Sequence, residues 1–353
     1  MAPIIFTKVQ LHLFTQAVFK KCGLNPADSI LAADVLLAAD LRGIDSHGVA
    51  RLSGYVRLWE SGRINMKAQP KILHQTPSTA TLDADEGLGL IIAPGAMELA
   101  IEKATQVGTG WVAVQNSSHF GIAAFHAMLA LPHDMIGICM TNASPLVAPT
   151  YSKERMLGTN PVCIAVPAKN QQPFIIDMAT SNAANGKLEI SSRLQKPVPD
   201  GWVQTTDGRG STDADELKKG GSLLPLGGHK GYGLGAAVDI LSAVLSGANY
   251  GPWVPPFVSF LAPLDNLPGK GIGHFIGAMR IDAFRPADNF KKHMDQWILR
   301  FKDAQRTDPQ QEVLIPGEPE YRMTIEREKN GIPLNENVVK NLQELALKLA
   351  LTL

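Results

Sequence analysis

The chain has 353 residues, 45% of them apolar and 19% charged, and its 33 lysines and arginines balance 33 aspartates and glutamates. This length forms one large or two medium domains, and the balanced charge excludes a broad electrostatic attraction to nucleic acid or an anionic membrane. No apolar run approaches the roughly 18 residues of a membrane span, no signal peptide is recognisable, and the cysteines form no CxxC pair. We therefore expect a cytoplasmic protein with neither nucleic-acid nor membrane partners.

The first strong element is a helix in the stretch LNPADSILAADVLLAADLRG. Asn25 is suited to the N-cap and Pro26 to the first helical position, where its missing N–H costs nothing. Apolar residues then recur with helical spacing until Gly43, at which the helix is predicted to end.

A second helix is predicted in HGVARLSGYVRLWESG, with Asp45 or Ser46 as its cap and Gly62 at its end. His47 and Arg51 are four residues apart and would share one helix face. Arg can hold a carboxylate through two parallel hydrogen bonds, and a neutral imidazole can accept a proton near pH 7. These two residues suit a 2-hydroxy acid, but by spacing alone the stretch is explained more simply as an ordinary helix start, with Asp45 and Ser46 as caps and Arg51 as a solvated charge.

The central part of the chain alternates between short apolar strands and helices, which predicts an α/β unit. Strands are predicted at 79–85, 110–115, 135–141, 160–168 and 173–179. Helices are predicted at 89–108, 119–134, 231–248, 289–306 and 335–353. Residues 200–225 are polar and Gly-rich, and we expect a surface loop or a flap there.

The segment WVAVQNSSHFGIAAFHAML ends a strand and places His119 at the predicted start of the next helix. Loops after strands carry ligand-binding groups in α/β proteins, and the helix dipole would lower the pKa of a histidine at this position. His119 is thus a candidate base. His126, seven residues later, could form a metal pair with it or could be a packed core residue.

The segment FIIDMATSNAANGKLE repeats the same order of strand, acidic residue and small polar loop. Asp177 at the strand end could bind a ribose hydroxyl, orient a histidine or cap a helix. The small residues after it would let backbone amides reach phosphate oxygens.

The Gly-rich stretch LGGHKGYGLGAAVDI contains the pattern G-x-G-x-x-A, at Gly231, Gly233 and Ala236. A Rossmann fingerprint also needs a preceding strand and an acidic residue about 20 positions later, and neither is predicted. The stretch therefore reads as a Gly-rich helix start, where Lys230 and the backbone amides could bind a phosphate or a carboxylate.

Taken together and in this order, LRGIDSHGVARL, NSSHFGIAAFHA, GTNPVCIAVP, DMATSNAANGK and GGHKGYGLGAAVDILSAVLSGA closely resemble the type 2 malate/L-lactate dehydrogenase family. The resemblance covers essentially the whole chain. It implies NAD(P)-dependent reduction of a 2-oxo acid of malate or lactate type, or of ureidoglycolate-related or cyclic-imine substrates in some members. It also implies a homodimer and a dinucleotide-binding fold of non-Rossmann type.

The resemblance further implies roles for individual residues. Ser46, Arg51 and Tyr55 resemble substrate contacts, and His119 and His47 resemble the two histidines of proton transfer. The residues that resemble cofactor contacts, to NAD or NADP, are Ala143, Asp177, Met178, Ala179, Lys230, Gly317 and Glu318.

We therefore expect an α/β fold, in which a central mixed-sheet dinucleotide-binding unit is flanked by helical segments from both termini. Residues 1–75 and 310–353 would form helical substrate and dimerisation segments that pack together, and residues 76–309 the cofactor-binding region. In the working hypothesis, His119 is the base, His47 forms a hydrogen bond with the substrate oxygen, and Arg51 binds the substrate carboxylate.

Two other classes of function stay open at the level of sequence. One is a metal-dependent lyase or hydrolase that uses His47, His119, His126 and Asp45 as ligands. The other is a non-catalytic binding protein with the same fold.

Overall fold

The computed structural model describes residues 3–353. Its helices are α1 (Lys8–Lys21), α2 (Pro26–Leu41), α3 (Leu52–Glu60), α4 (Gly89–Val107), α5 (Ala123–Met128), α6 (Asn185–Arg193), α7 (His229–Asp239), α8 (Ala287–Lys302), α9 (Glu318–Asn330) and α10 (Glu336–Leu349). Its strands are β1 (Ile4–Phe6), β2 (Lys71–Gln75), β3 (Thr79–Gly87), β4 (Thr109–Ser117), β5 (Met135–Thr141), β6 (Val162–Val166), β7 (Phe174–Met178), β8 (Val203–Gln204), β9 (Gly210–Ser211), β10 (Ser222–Leu223), β11 (Ile272–Arg280) and β12 (Ile332–Leu334). Within these residues, no helix combines the length and apolar character needed to cross a bilayer.

A mixed sheet of seven strands forms the centre of the fold, in the order β2-β3-β4-β11-β5-β6-β7. Only β3 and β4 pair in parallel among its neighbours, and every other adjacent pair is antiparallel. This arrangement confirms the predicted mixed α/β class, and its strand order is not that of a Rossmann sheet.

The central strand β11 was not predicted from the sequence. It reads IGHFIGAMR, and its glycines weaken a strand signal based on propensity. Gly277 is needed there because a Cβ atom at this position would lie 2.3 Å from the ring of Trp111 on β4. Gly277 lowers the strand propensity of this segment, but the packing of the sheet requires it.

Helix α2 forms as predicted, because Asn25 caps it and Pro26 occupies its first position. The Asn25 Oδ1 atom accepts a hydrogen bond of 2.9 Å from the backbone N–H of Asp28. The predicted helix at 231–248 begins slightly earlier, as α7, and continues beyond Asp239 as a π-helical segment, Ile240–Val244.

Residues 200–225 are not a plain loop, since they contain a small antiparallel sheet of order β10-β8-β9. Leu217 and Leu223 of this region are buried in a local apolar cluster with Leu188 of α6. The small sheet therefore supports α6, which borders the candidate site.

The helices near both chain ends share one apolar core. Residues of α1, α2 and α3 pack with β12 and α10 in a single cluster of buried side chains. Strand β2 lies outside this cluster and pairs with β3, so the central sheet begins before residue 76. The division into a terminal helical part and a central cofactor-binding region stays a prediction.

Candidate active site

The candidate site lies at one edge of the seven-stranded sheet. Strands β3, β4, β5 and β7 run in the same direction, because β11 and β6 are antiparallel between them. The chain segments that follow these strands therefore meet at one edge, as ligand-binding loops commonly do in α/β proteins. A cavity of about 70 Å³ at this edge is lined by His47, Arg51, His119, Ala143, Thr159, Gly186 and Phe257, among others. The structure thus brings four of the predicted site residues together.

His119 precedes α5 by four residues, so the prediction that it opens a helix is wrong. The helix predicted at 119–134 is confined to α5 and a short 3₁₀ turn at Leu131–His133. The pKa of His119 is nevertheless lowered well below its usual value, first by burial of the ring and then by repulsion from the protonated form of His47 and from the charge of Arg51. The neutral imidazole expected from the sequence is therefore explained by burial and neighbouring groups, and not by a helix dipole.

Nδ1 of His119 lies within hydrogen-bond distance of two groups. The backbone N–H of Gly121 is 3.3 Å away and can only donate, and the hydroxyl of Tyr55 is 2.6 Å away and can donate or accept. The tautomer assigned from the Gly121 contact has Nδ1 as the acceptor and the ring proton on Nε2.

Tyr55 is fully buried in the apolar core of the helical part and does not line the cavity. This placement differs from the expected contact with substrate. Its hydroxyl reaches the site only through His119, and Tyr55 is therefore a positioning residue for that ring.

His47 lies beside His119, with the two rings nearly parallel and their centroids 5.8 Å apart. Its Nδ1 atom is 2.8 Å from the hydroxyl of Ser46. Burial, and secondarily the charge of Arg51, lower the pKa of His47 to about 4. Both rings are thus neutral at pH 7 in the free protein.

The turn that carries His47 is not capped as the sequence suggested. A 3₁₀ turn, Val49–Arg51, precedes α3, and neither Asp45 nor Ser46 caps it. The buried carboxyl of Asp40 on α2 instead accepts a hydrogen bond of 2.8 Å from the backbone N–H of Val49. His47 and Arg51 consequently lie in a turn and a 3₁₀ segment, and they do not share the face of one α-helix.

Asp45 has another partner, because its carboxylate pairs with Arg327 of α9, which also donates to the carbonyl oxygen of Asp40. Burial raises the pKa of Asp40 to about 8, and the nearby Asp45 contributes in the same direction. The C-terminal part of the chain thus fixes the His47 turn.

Phe257 forms one wall of the site and was missed by the sequence reasoning. Its ring centroid lies 4.5 Å from that of His119 and 5.2 Å from that of Tyr55. Its backbone N–H donates to the hydroxyl of Ser144 over 2.9 Å, and its carbonyl oxygen accepts from Arg57. The Pro-rich composition of 250–275 was a signal of irregular structure, but it did not indicate which side chain would reach the histidines.

His126 is fully buried and hydrogen-bonds through Nε2 to the carbonyl oxygen of Phe120 over 2.8 Å. It is therefore the packed core residue of the two alternatives considered. Within residues 3–353, no group of three or more His, Cys, Asp or Glu side chains has a geometry able to hold a metal ion.

The expected cofactor residues do not all come together. Asp177 and Gly317 line a second cavity, of about 310 Å³, between the end of β7 and the start of α9. Glu318 faces a different cavity, where it pairs with Lys302 and Arg322, and Lys230 is exposed in the first turn of α7.

Asp177 lies on β7, and its carboxylate accepts a hydrogen bond of 2.8 Å from the backbone N–H of Ala124 in the first turn of α5. Burial raises its pKa to about 6. Met178 ends β7 and Ala179 follows it, and neither lines the cavity at Asp177.

Two further side chains of the 310 Å³ cavity were not identified from the sequence. Arg42 Nε and Glu320 Oε2 are buried polar atoms without a hydrogen-bond partner. Buried polar atoms are normally paired, so these two unpaired atoms beside the cavity are unusual.

Comparison with known proteins defines the class. The family model described as malate/L-lactate dehydrogenase matches residues 6–343. The malate dehydrogenase of Pyrococcus abyssi is 43% identical over 346 residues, which cover 96% of this chain and 93% of that protein.

Solved structures agree with this match. The sulfolactate dehydrogenase of Methanocaldococcus jannaschii superposes with a TM-score of 0.90 at 37% identity, covering 99% of this chain and 98% of its own. The malate dehydrogenase of Pyrococcus horikoshii gives a TM-score of 0.90 at 38% identity, covering 99% and 97% of the two chains. The family model and the names of these relatives identify a 2-hydroxyacid dehydrogenase, an oxidoreductase of a family that works with a nicotinamide cofactor. The chain belongs to the malate/L-lactate dehydrogenase family, as its sequence motifs predicted.

Proposed function

We propose that this enzyme interconverts a small 2-hydroxy acid of malate or lactate type and its 2-oxo acid in the 70 Å³ cavity. The observation that carries the proposal is the meeting of the Arg51 guanidinium with the imidazole rings of His47 and His119 in one cavity. Arg51 binds the substrate carboxylate through its two terminal nitrogens, which holds C2 beside the rings. A nicotinamide cofactor, when bound, would supply or accept the hydride at C2.

We assign the two histidines in the reverse of the order favoured by the sequence. His119 donates a hydrogen bond from Nε2 to the C2 oxygen, as a neutral imidazole can do when its other nitrogen is an acceptor. His47 exchanges the proton of the C2 hydroxyl, and the Ser46 hydroxyl holds its Nδ1. Burial keeps His47 neutral and ready to accept a proton during alcohol oxidation.

The residues of the 310 Å³ cavity fit the polar part of the cofactor. Arg42 and Glu320 offer an unpaired donor and an unpaired acceptor, and Gly317 brings backbone close to β7, where a Cβ atom would lie 3.0 Å from Ile175 Cβ. This cavity holds two carboxyl groups, of Asp177 and Glu320, and one guanidinium, of Arg42. Because carboxylates accept hydrogen bonds from free ribose hydroxyls and repel a 2′-phosphate, we propose NAD as the cofactor in preference to NADP.

We also propose a homodimer in the cytoplasm. Leu234, Ala237, Ile240 and Val244 recur at helical spacing along α7 and its π-helical extension, and all four are exposed. An apolar stripe of this kind suits a symmetric contact between two copies. The three cysteines are free and buried, as in proteins of reducing compartments. Light scattering of the wild type and of Ile240→Glu tests the dimer, and cell fractionation tests the location.

The activity is tested by following NADH and NADPH oxidation with oxaloacetate, pyruvate and a cyclic imine carboxylate. We expect turnover of 2-oxo acids, faster with NADH. His47→Gln should lower kcat by about 10²–10⁴-fold, the usual contribution of a general acid–base. His119→Gln, whose amide can still donate, should lose less. Absence of turnover with every 2-oxo acid would refute the proposal, and the opposite ranking of the two variants would refute the assignment.

A further inference from the structure

Helix α6 separates three cavities that all contact Arg51. These are the 70 Å³ cavity at the histidines and two larger ones of about 490 Å³ and 310 Å³, the latter distinct from the cavity at Asp177. Gly186, in the first turn of α6, lies directly on Ser46, because a Cβ atom at this glycine would be 2.3 Å from Ser46 Cβ. The helix is therefore a thin wall of the substrate site.

Glu189 on this helix forms an ion pair with the guanidinium of Arg51. Its two carboxylate oxygens lie 3.4 Å from Nη1 and Nη2 of Arg51, in the forked arrangement that a substrate carboxylate would adopt. Asn185 Nδ2 also donates to this carboxylate, over 2.8 Å. Charge-assisted contacts of a well-made pair are closer to 2.7–2.9 Å. The pair is thus loose enough to be replaced by a ligand.

The same carboxylate also faces a second cation. Nη2 of Arg193, one helical turn further along α6, lies 3.9 Å from the Glu189 oxygen that contacts Arg51 Nη2. A single carboxylate therefore lies between two guanidinium groups. Because both groups approach one oxygen atom, they are close enough for the two acid groups of one small molecule.

Besides Arg51, Glu189 and Arg193, the charged residues that line the two larger cavities are Asp40, Asp45, Arg57 and Glu336. In the 490 Å³ cavity, Asp45 pairs with Arg327, and Arg193 is the one cation besides Arg51 among the described lining residues. Arg57 lines the neighbouring cavity, but it donates to the carbonyl oxygen of Phe257. When a ligand displaces Glu189 from Arg51, Arg193 is the cation that loses its partner.

We propose that Arg193 binds the second acid group of a dianionic 2-hydroxy or 2-oxo acid, and that Glu189 holds Arg193 and Arg51 until the substrate replaces it. The inference rests on the proposed function, whose substrate class it narrows to compounds with two acid groups. A monoanionic substrate gains only the contact with Arg51. It must still displace Glu189, and it leaves Arg193 unpaired.

The test compares kcat/KM for oxaloacetate and for pyruvate in the wild type, Arg193→Gln and Glu189→Gln. We expect a wild type that prefers oxaloacetate. Arg193→Gln should lower kcat/KM for oxaloacetate at least tenfold, mainly through KM, and change the value for pyruvate less than twofold. Glu189→Gln should lower KM for both substrates because it removes the internal competitor. Arg209→Gln, at an exposed arginine paired with Asp207, is the matched control.

The pyruvate rate of each variant also reports on its folding, and Arg193→Lys adds a variant that keeps the charge and should lose less than Arg193→Gln. Equal effects of Arg193→Gln on both substrates, no effect on either, or a wild type that prefers pyruvate would overturn the inference and leave the proposed function standing. A wild type without activity on any 2-oxo acid would overturn both.

Discussion

The carboxyl of Asp40 lies 2.8 Å from the backbone nitrogen of Val49 and replaces the cap that the neighbouring sequence does not provide. The contact joins α2 to the turn that presents His47 and Arg51. Gly48 makes it possible, since a Cβ atom there would lie 2.0 Å from Asp40 Oδ1. The geometry of the substrate site therefore depends on a buried acid that does not touch the histidines.

Asp40→Asn should flatten the dependence of stability on pH. Burial raises the pKa of Asp40 from 3.8 to about 8, so between these values the folded protein keeps a proton that the unfolded chain releases. The free energy of unfolding contributed by this group is thus full below pH 4 and decreases as the pH rises towards 8. Asn accepts from Val49 N–H without ionising, so thermal unfolding of this variant should lose less stability between pH 5 and 8 than the wild type. Identical pH slopes for the two proteins would contradict this account.

Gly48→Ala should destabilise the protein and impair catalysis. The added methyl group would collide with the Asp40 carboxyl and displace the His47 turn, and overpacking of this kind typically costs about 1–3 kcal/mol. Gly95→Ala in α4 is the control, since nothing lies within 4 Å of its added Cβ atom and Ala is favoured in a helix by about 0.5–1 kcal/mol. Chemical denaturation measures both. A Gly48→Ala protein as stable as Gly95→Ala would show that the close approach is relaxed in solution.

Tyr55→Phe should lower kcat by about tenfold while leaving KM nearly unchanged, because a lost hydrogen bond of this type is worth about 1–1.5 kcal/mol. Without the hydroxyl, the tautomer of His119 is fixed only by the long bond from Gly121. The ¹⁵N chemical shifts of the ring give the tautomer directly and would not respond to a purely structural role. Tyr151→Phe, at a fully exposed tyrosine, is the control. Unchanged kcat and ring shifts in Tyr55→Phe would remove Tyr55 from the proposed arrangement.

The pH dependence of alcohol oxidation should reflect the lowered pKa of His47. Because burial and then Arg51 lower the pKa of His47 to about 4, the neutral base is present throughout pH 6–8. The kcat/KM for the 2-hydroxy acid should therefore be flat in this range as far as His47 is concerned, and should decrease only as the pH falls towards 4. Steady-state rates from pH 5 to 8 test this expectation, and an acid limb centred near 6.5 would indicate an ordinary, solvated histidine.

Activity should survive treatment with a metal chelator. His126, the histidine proposed as a partner of His119 in a metal site, is turned into the core and bonded to Phe120. NADH-dependent turnover measured before and after incubation with EDTA, and again after addition of a divalent ion, separates the two classes of mechanism. Loss of activity that the ion restores would favour the metal-dependent lyase or hydrolase.

The sequence predicted those parts of the fold that depend on neighbouring residues. The cap and first turn of α2, most of the sheet strands and the position of Asp177 at a strand end follow from patterns a few residues long. The strand β11 escaped prediction because its glycines are required by distant residues: Gly277 packs against Trp111 of β4, and Gly273 packs against Ser242.

By itself, the sequence determined the family, the α/β class and some of the polar residues that line the candidate site, among them His47, Arg51 and His119. Only the tertiary structure decided how those residues are used. It brought together four pairs of residues through hydrogen bonds or ion pairs: Asp40 with Val49, Arg327 with Asp45, Tyr55 with His119, and Glu189 with Arg51. Local propensity and hydrophobic periodicity are encoded within short segments, whereas the partner of a buried polar group is selected by whichever distant elements pack against it.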